Sequence, residues 1–311
     1  MKSLAIQLEA YLELRRKLGF KLRLAGGLLR RFVLFAQKKK ASVITTKLAL
    51  AWATQPADCQ PAQWANRLGM VRRFALYVSG DDPRTEIPPQ EVLPHRYHRK
   101  PPYLYSDKEV CSLIKTARQL PASNDLRAIS NATLFGLLAV TGMRVGEAIG
   151  LDRKDVDLRQ GLLTVRQAKF NKSRLVPIHF TTRKKLQEYE RLRDRYCSHP
   201  KSPSFFLSER GTRLTDCTVR RWFIITSRRI GLRAPTDRRG PRIHDLRHLY
   251  AFKTILNWYR RGMDVEAHLP ELTTFMGHGH VADTYWYISA APELLKLATQ
   301  RLERQKGGAS A

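Results

Sequence analysis

Leu4, Leu8, Tyr11, Leu12 and Leu18 recur at helical spacing and end at Gly19, which predicts a first helix. A second follows over 24–38, with Leu28, Leu29, Phe32, Val33 and Phe35 on its apolar side, and residues 45–53 and 61–78 predict two more, the last closed by Ser79 and Gly80. From 81 to 103 the periodicity disappears and prolines stand at 83, 88, 89, 94, 101 and 102, alongside Arg96, His98, Arg99 and Lys100. Proline fixes φ and removes a backbone donor, so this stretch reads as a semi-extended basic connector, suited to a strap along a polyanion. Beyond it Ser106 and Glu109 open a capping box, and a long apolar helix over 124–140 stops at Thr141-Gly142. Leu163 and Val165, then Leu175, Val176 and Ile178, flank a polar tip at 169–172 and predict a β-hairpin. Helical patterns resume from there. The expected chain is mainly α with a small β-hairpin or sheet: a helical domain over 1–80, a linker over 81–103 and a second, mixed α/β domain over 104–311.

Composition narrows the partner. The 311 residues suffice for two cores, and 43% hydrophobic with 27% charged residues is ordinary for a globular chain. Fifty-six Lys and Arg against 27 Asp and Glu give +29, spread along the whole chain with no single basic tail. Such a cation calls for nucleic acid. A ribosomal or nucleoid-packaging protein would carry the same charge, so charge names the partner and not the reaction. The four cysteines form no CxxC pair and read as scattered thiols of a reducing compartment. No apolar run approaches the roughly 20 residues of a membrane span, and the N-terminus lacks a secretory h-region. The expected location is the cytoplasm, with no membrane partner.

Four separated segments carry residue types that phosphoryl transfer needs. In Thr141-Gly142-Met143-Arg144-Val145-Gly146-Glu147, Gly142 breaks one helix and Arg144 opens the next, with Glu147 one turn on to brace it. A surface arginine in an i,i+3 pair fits the same letters. The tip Ala168-Lys169-Phe170-Asn171-Lys172-Ser173-Arg174 offers Lys169 as a proton donor, or simply a basic loop that binds phosphate. In His244-Asp245-Leu246-Arg247-His248, the imidazole of His244 and the guanidinium of Arg247 share a helical face and suit a single phosphate. In Gly277-His278-Gly279-His280, followed by Thr284-Tyr285-Trp286-Tyr287, a histidine precedes a tyrosine by nine residues. Aromatic packing explains that last run equally well. His278 and His280 lack a third ligand at a usual zinc spacing, so no metal is expected.

The order Arg144, Lys169, His244-x-x-Arg247, Gly277-His278, Tyr287 resembles the tyrosine recombinase (phage integrase) family, and the resemblance runs over nearly the whole chain. The Thr-Gly-x-Arg-x-x-Glu, Ala-Lys-x-x-Lys-x-Arg-x-Val-Pro, His-x-Leu-Arg-His and Gly-His motifs stand in the family's order and approximate intervals. Leu249 replaces a small hydroxyl residue, Met276 a leucine, and Gly279-His280 small polar residues; none of these touches the catalytic set. The wording from Leu269 to Ile288 is most similar to transposon-associated members.

The resemblance implies a helical core-binding domain ahead of a mixed α/β catalytic domain. It also implies a catalytic set of Arg144, Lys169, His244, Arg247, His278 and Tyr287. Tyr287 would attack a phosphodiester held by the two arginines, giving a 3′-phosphotyrosine and a free 5′-hydroxyl. Lys169 would protonate the leaving oxygen, His244 would assist proton movement, and His278 would bond the phosphate. The bond energy stays in the covalent link, so no cofactor or metal is needed, and activity is expected in EDTA. Tyr285 is the rival nucleophile, about 200° away on a helix. The DNA contacts expected are Arg72 and Arg73 on the helical domain, Lys172 and Arg174 on the hairpin, and Arg220 and Arg221 on a helix over 215–230 that the resemblance places in the major groove. The amphipathic segment 292–302 would dock on a neighbouring protomer or on its own domain. Double-stranded DNA and a homo-oligomer, a tetrameric synapse, are the implied partners, together with other recombinases of the same element. A type IB topoisomerase and a catalytically silent DNA-binding protein are the alternatives.

Overall fold

In the computed structural model the described residues are 3–95, 101–120, 125–166, 173–237, 239–277, 280–281, 283–285, 294–296 and 298–299. The chain divides into two compact units, Met1–Lys100 and Pro101–Ala311.

The first unit holds α1 (Leu4–Lys17), α2 (Arg23–Lys38), α3 (Thr46–Ala53) and α4 (Pro61–Val78). Local chemistry sets their starts. Ser3 and Thr45 cap α1 and α3 with their hydroxyls, and Pro61 sits at the first turn of α4, where its missing N–H costs nothing. Leu8, Leu12, Phe32, Trp52 and Phe74 are buried together, with Phe32 edge-on to Trp52 at 5.4 Å. Arg67 lies over the Trp52 ring at 3.8 Å and donates to the carbonyls of Trp52 and Ala53, tying α4 to the end of α3.

Where the sequence predicts a connector, the chain from 81 to 95 is non-helical as its prolines require, yet it packs back on this unit. The Glu86 N–H donates to the Ile44 carbonyl, Glu86 Oε2 accepts from the Thr46 N–H at 2.7 Å, and Leu93 joins the rim of the core. Proline forbids a helix but not burial. Residues 96–100, with Arg96, His98, Arg99 and Lys100, lie outside the described residues.

In the second unit are α5 (Asp107–Arg118), α6 (Leu126–Thr141), α7 (Val145–Gly150), α8 (Phe180–Tyr196), α9 (Asp216–Arg229), α10 (Asp245–Arg260) and α11 (Val265–Met276). The Ser106–Glu109 capping box forms in both directions. Helix α6 is buried nearly all round by Leu126, Ile129, Leu134, Phe135, Leu137 and Leu138, the pattern of a helix enclosed by its neighbours. The hairpin exists as β2 (Leu162–Val165) and β3 (Arg174–Pro177), antiparallel with Leu163 opposite Val176. A further strand, β1 (Val156–Asp157), joins β2 to give a three-stranded sheet in the order β1-β2-β3. A second hydrophobic cluster gathers Ala251, Phe252, Ile255 and Leu256 of α10 with Val265, Leu269, Leu272 and Met276 of α11, and Leu294 is buried within it. That burial puts the start of the predicted C-terminal segment on its own domain. No helix among the described residues is long and apolar enough to cross a membrane.

Gly142 ends α6 at φ +61, and a Cβ there would meet Tyr250 Cδ1 at 2.6 Å. Gly142→Ala is therefore expected to destabilise the protein by about 1–3 kcal/mol, combining left-handed strain with overpacking. A chemical denaturation midpoint lowered at constant slope checks this.

Candidate active site

Arg144 is the N-cap of α7, set there because Gly142 turns the chain out of α6. Glu147, one turn on, accepts from the Arg144 backbone N–H at 3.0 Å and from its Nη1 at 2.7 Å. The same carboxylate receives a second guanidinium. Arg174, at the start of β3, donates from Nη1 and Nη2 to the two oxygens of Glu147 at 3.2 and 2.8 Å. Burial alone would raise the Glu147 pKa. The hydrogen bond and charge of Arg174, with the bonds from Arg144, outweigh it and hold the carboxyl at about 2. Glu147 is thus an ionised, buried anchor between two arginines.

Arg247 enters from α10 and is buried. Its Nη1 donates to the Gly142 carbonyl and its Nη2 to the Met276 carbonyl, both at 2.7 Å. Arg144 Nη2 donates to the next carbonyl, Gly277, at 2.9 Å, and Arg174 Nε to the preceding one, Phe275, at 2.8 Å. Three successive carbonyls at the C-terminal end of α11 are each held by a different arginine. These are orphan acceptors at the negative pole of a helix, so cations satisfy both their bonding and their field. The cluster closes tightly: Gly277 has φ +67, and a Cβ on it would lie 2.6 Å from Arg174 Nη1.

His244 caps the start of α10 beside this cluster, its ring edge-on to His248 at 4.9 Å. Burial first, and then the charge of Arg247, with a smaller push from Arg144, lowers its pKa to about 4. The imidazole is neutral at physiological pH and can take a proton. Asp245, buried behind it, bonds the Arg242 N–H at 2.8 Å and its guanidinium at 2.7 Å, fixing the approach to α10.

Comparison with known proteins shows the family. Residues 104–293 match the model of the phage integrase family. The chain belongs to that family. It is 46% identical over 301 residues to a Sinorhizobium fredii protein named as an integrase/recombinase, y4rB, covering 96% of each chain. It is 29% identical over 238 residues to the tyrosine recombinase XerD of Staphylococcus epidermidis, covering 76% of this chain and 75% of that one. Among solved structures, the Tn1549 transposon integrase in complex with transposon right end DNA superposes with a TM-score of 0.66. That alignment covers 97% of this chain and 99% of the other at 14% identity, a likeness of fold. As a phage integrase family member this is a tyrosine recombinase, a site-specific DNA strand-cutting and rejoining enzyme.

Among the catalytic residues expected of this integrase, Arg144, His244 and Arg247 are brought to one place. Lys169, His278 and Tyr287 lie outside the described residues, as does Lys172. Tyr285 is 46% exposed, while its neighbour Thr284 is buried with its hydroxyl 2.8 Å from that of Thr273. The expected DNA contacts differ in their surroundings. Arg73 and Arg221 are exposed, Arg220 is paired with Asp216 at 2.6 Å, and Arg72 donates to the Pro88 carbonyl at 2.6 Å. Arg174 stands apart from these. Read from the sequence as a DNA contact, it is turned inward, with Nε, Nη1 and Nη2 all bonded within the domain. What the sequence reading missed is this inward role and the run of carbonyls at 275–277. Within the described residues no group of three or more His, Cys, Asp and Glu is placed to hold a metal ion.

Proposed function

We propose that this recombinase cleaves DNA by attack of Tyr287 on a phosphate held between Arg144 and Arg247, leaving a 3′-phosphotyrosine and a free 5′-hydroxyl. The observation that carries it is the convergence of those two guanidiniums, from different helices, on the carbonyls of Met276 and Gly277, next in sequence to His278. A guanidinium presents five donors in a planar fork, a geometry that matches the oxygens of a phosphate. Forked donors suit the doubly charged phosphorane-like transition state. Neutral His244 takes the proton of the attacking tyrosine, Lys169 protonates the leaving oxygen and His278 bonds the phosphate. The nine-residue spacing from His278 favours Tyr287 over Tyr285 as the nucleophile. The exposed Arg73 and Arg221, with Arg72, Arg220 and Lys172, track the DNA backbone and groove.

Exchange between two duplexes requires a cut in each of four strands, and each tyrosine stays linked to one strand until a 5′-hydroxyl attacks the phosphotyrosine, rejoins the DNA and frees it. We therefore assign the working form as four chains on two DNA sites, a set that other recombinases of the same element can join. The Tn1549 likeness, solved on transposon end DNA, supports a mobile-element role. The reaction takes place on bacterial DNA in the cytoplasm. A nicked duplex, from which the cleaved strand end diffuses away, tests the reaction: the covalent complex should accumulate and survive denaturation, and binding without capture would sink the proposal.

The protonation state of His244 gives a separate check. Its folded pKa lies below the unfolded value, so the unfolded chain takes up the proton first, and stability falls as pH drops from about 6.5 towards about 4. An NMR titration of the DNA-free protein should show His244 protonating near 4. Titration at the ordinary value of about 6.5 would contradict the buried, arginine-flanked setting of this imidazole.

A further inference from the structure

We propose that Arg174 is a positioning residue of the cleavage site, setting the Arg144 guanidinium through Glu147 and the backbone that leads to His278 through the Phe275 carbonyl. The inference rests on the cleavage reading above and adds a part to it.

The geometry is specific to a planar fork. Nη1 and Nη2 of Arg174 take the two oxygens of Glu147, and Nε takes the Phe275 carbonyl on another element. One lysine ammonium could not meet both partners from fixed directions. The side chain is 12% exposed and Glu147 only 7%, so the pair is shielded from salt and solvent. It therefore acts on protein geometry and not on a DNA phosphate. Glu147 is shared: the oxygen that receives Arg174 Nη1 also receives Arg144 Nη1. Loss of Arg174 would leave this carboxylate with one guanidinium, free to rotate towards Arg144 and to pull that group out of register with Arg247.

The position in the chain sharpens the point. Arg174 opens β3, directly after the predicted tip that carries Lys169. It thus joins the hairpin, the Gly142–Glu147 turn and the end of α11, three segments that each supply a member of the proposed catalytic set. Gly277 makes the contact possible, since any Cβ there would collide with the guanidinium.

The test uses the full chain and a nicked duplex selected from a random pool by binding to the wild-type protein. DNA affinity, its salt dependence and the single-turnover rate of covalent capture at saturating DNA are measured for wild type, Arg174→Gln, Glu147→Gln and the double variant. Arg174→Gln should slow capture about a hundredfold with affinity within about twofold, because what is lost is transition-state alignment. The double variant should be no more than about threefold slower than the slower single one, as expected for residues acting through one another.

Weaker binding with a salt slope reduced by about one, and capture unchanged, would make Arg174 a phosphate contact and overturn the inference. Losses that multiply in the double variant would overturn it too. If Arg174→Gln fails to fold, Arg174→Lys takes its place; it keeps the charge without the fork and should still slow capture at least tenfold. A wild-type rate in the lysine variant would refute the positioning role. Absence of capture by the wild-type chain would instead overturn the cleavage reading and this inference with it, so the wild-type rate separates the two failures.

Discussion

Tyr287→Phe is expected to abolish covalent capture of DNA while leaving affinity within about twofold, because a ring without its hydroxyl has no nucleophile yet keeps its apolar contacts. Tyr285→Phe should change neither quantity. The contrast depends on the nine-residue spacing that singles out Tyr287 from His278. Thr284 is buried and bonded to Thr273, and Tyr285 stands almost half exposed beside it. Gel-resolved trapping on a nicked duplex reads both variants in one experiment. Capture by Tyr287→Phe, or its loss in Tyr285→Phe, would move the nucleophile by two residues.

Arg247→Gln should slow capture by about a hundred- to a thousandfold, the cost of removing one preorganised donor to a developing anion. Arg247 is only 2% exposed and bonds two carbonyls, Gly142 and Met276, on segments far apart in the chain. Glutamine can reach at most part of this. The carbonyl left without a donor adds a stability loss of about 1–3 kcal/mol. The two effects separate by temperature: capture measured well below the melting transition reports the catalytic loss, and calorimetry reports the structural one. Arg144→Gln should lose rate with a smaller stability cost, since its side chain is more exposed than that of Arg247.

The sequence made legible those parts of the fold that rest on local patterns. Four helices of the first unit, the Ser106–Glu109 box, the break at Gly142 and the β2–β3 hairpin all follow from periodicity, capping and glycine. The brace of Glu147 on Arg144 follows from i,i+3 spacing. Strand β1 was not legible, because two residues carry no period and their pairing with β2 is a tertiary event. The packing of 81–95 on the first unit was hidden for a related reason: prolines announce the absence of a helix and say nothing about what the chain lies against.

Arg174 is the instructive case. A basic residue beside a basic tip reads as outward-facing, but strand alternation puts Arg174 on the same face as Val176, which is fully buried. That signal was present and points inward. The carbonyls of 275–277 left almost none, since backbone acceptors have no side-chain signature; Gly277, whose missing Cβ admits the Arg174 guanidinium, is their one trace.

The most direct test is to map the covalent link itself. Wild-type protein is trapped on the nicked duplex in EDTA and digested, and the peptide retaining nucleotide is sequenced by mass spectrometry. The 3′-phosphoryl group should be found on Tyr287. Its recovery on Tyr285, or on any residue other than Tyr287, would contradict the proposed cleavage site.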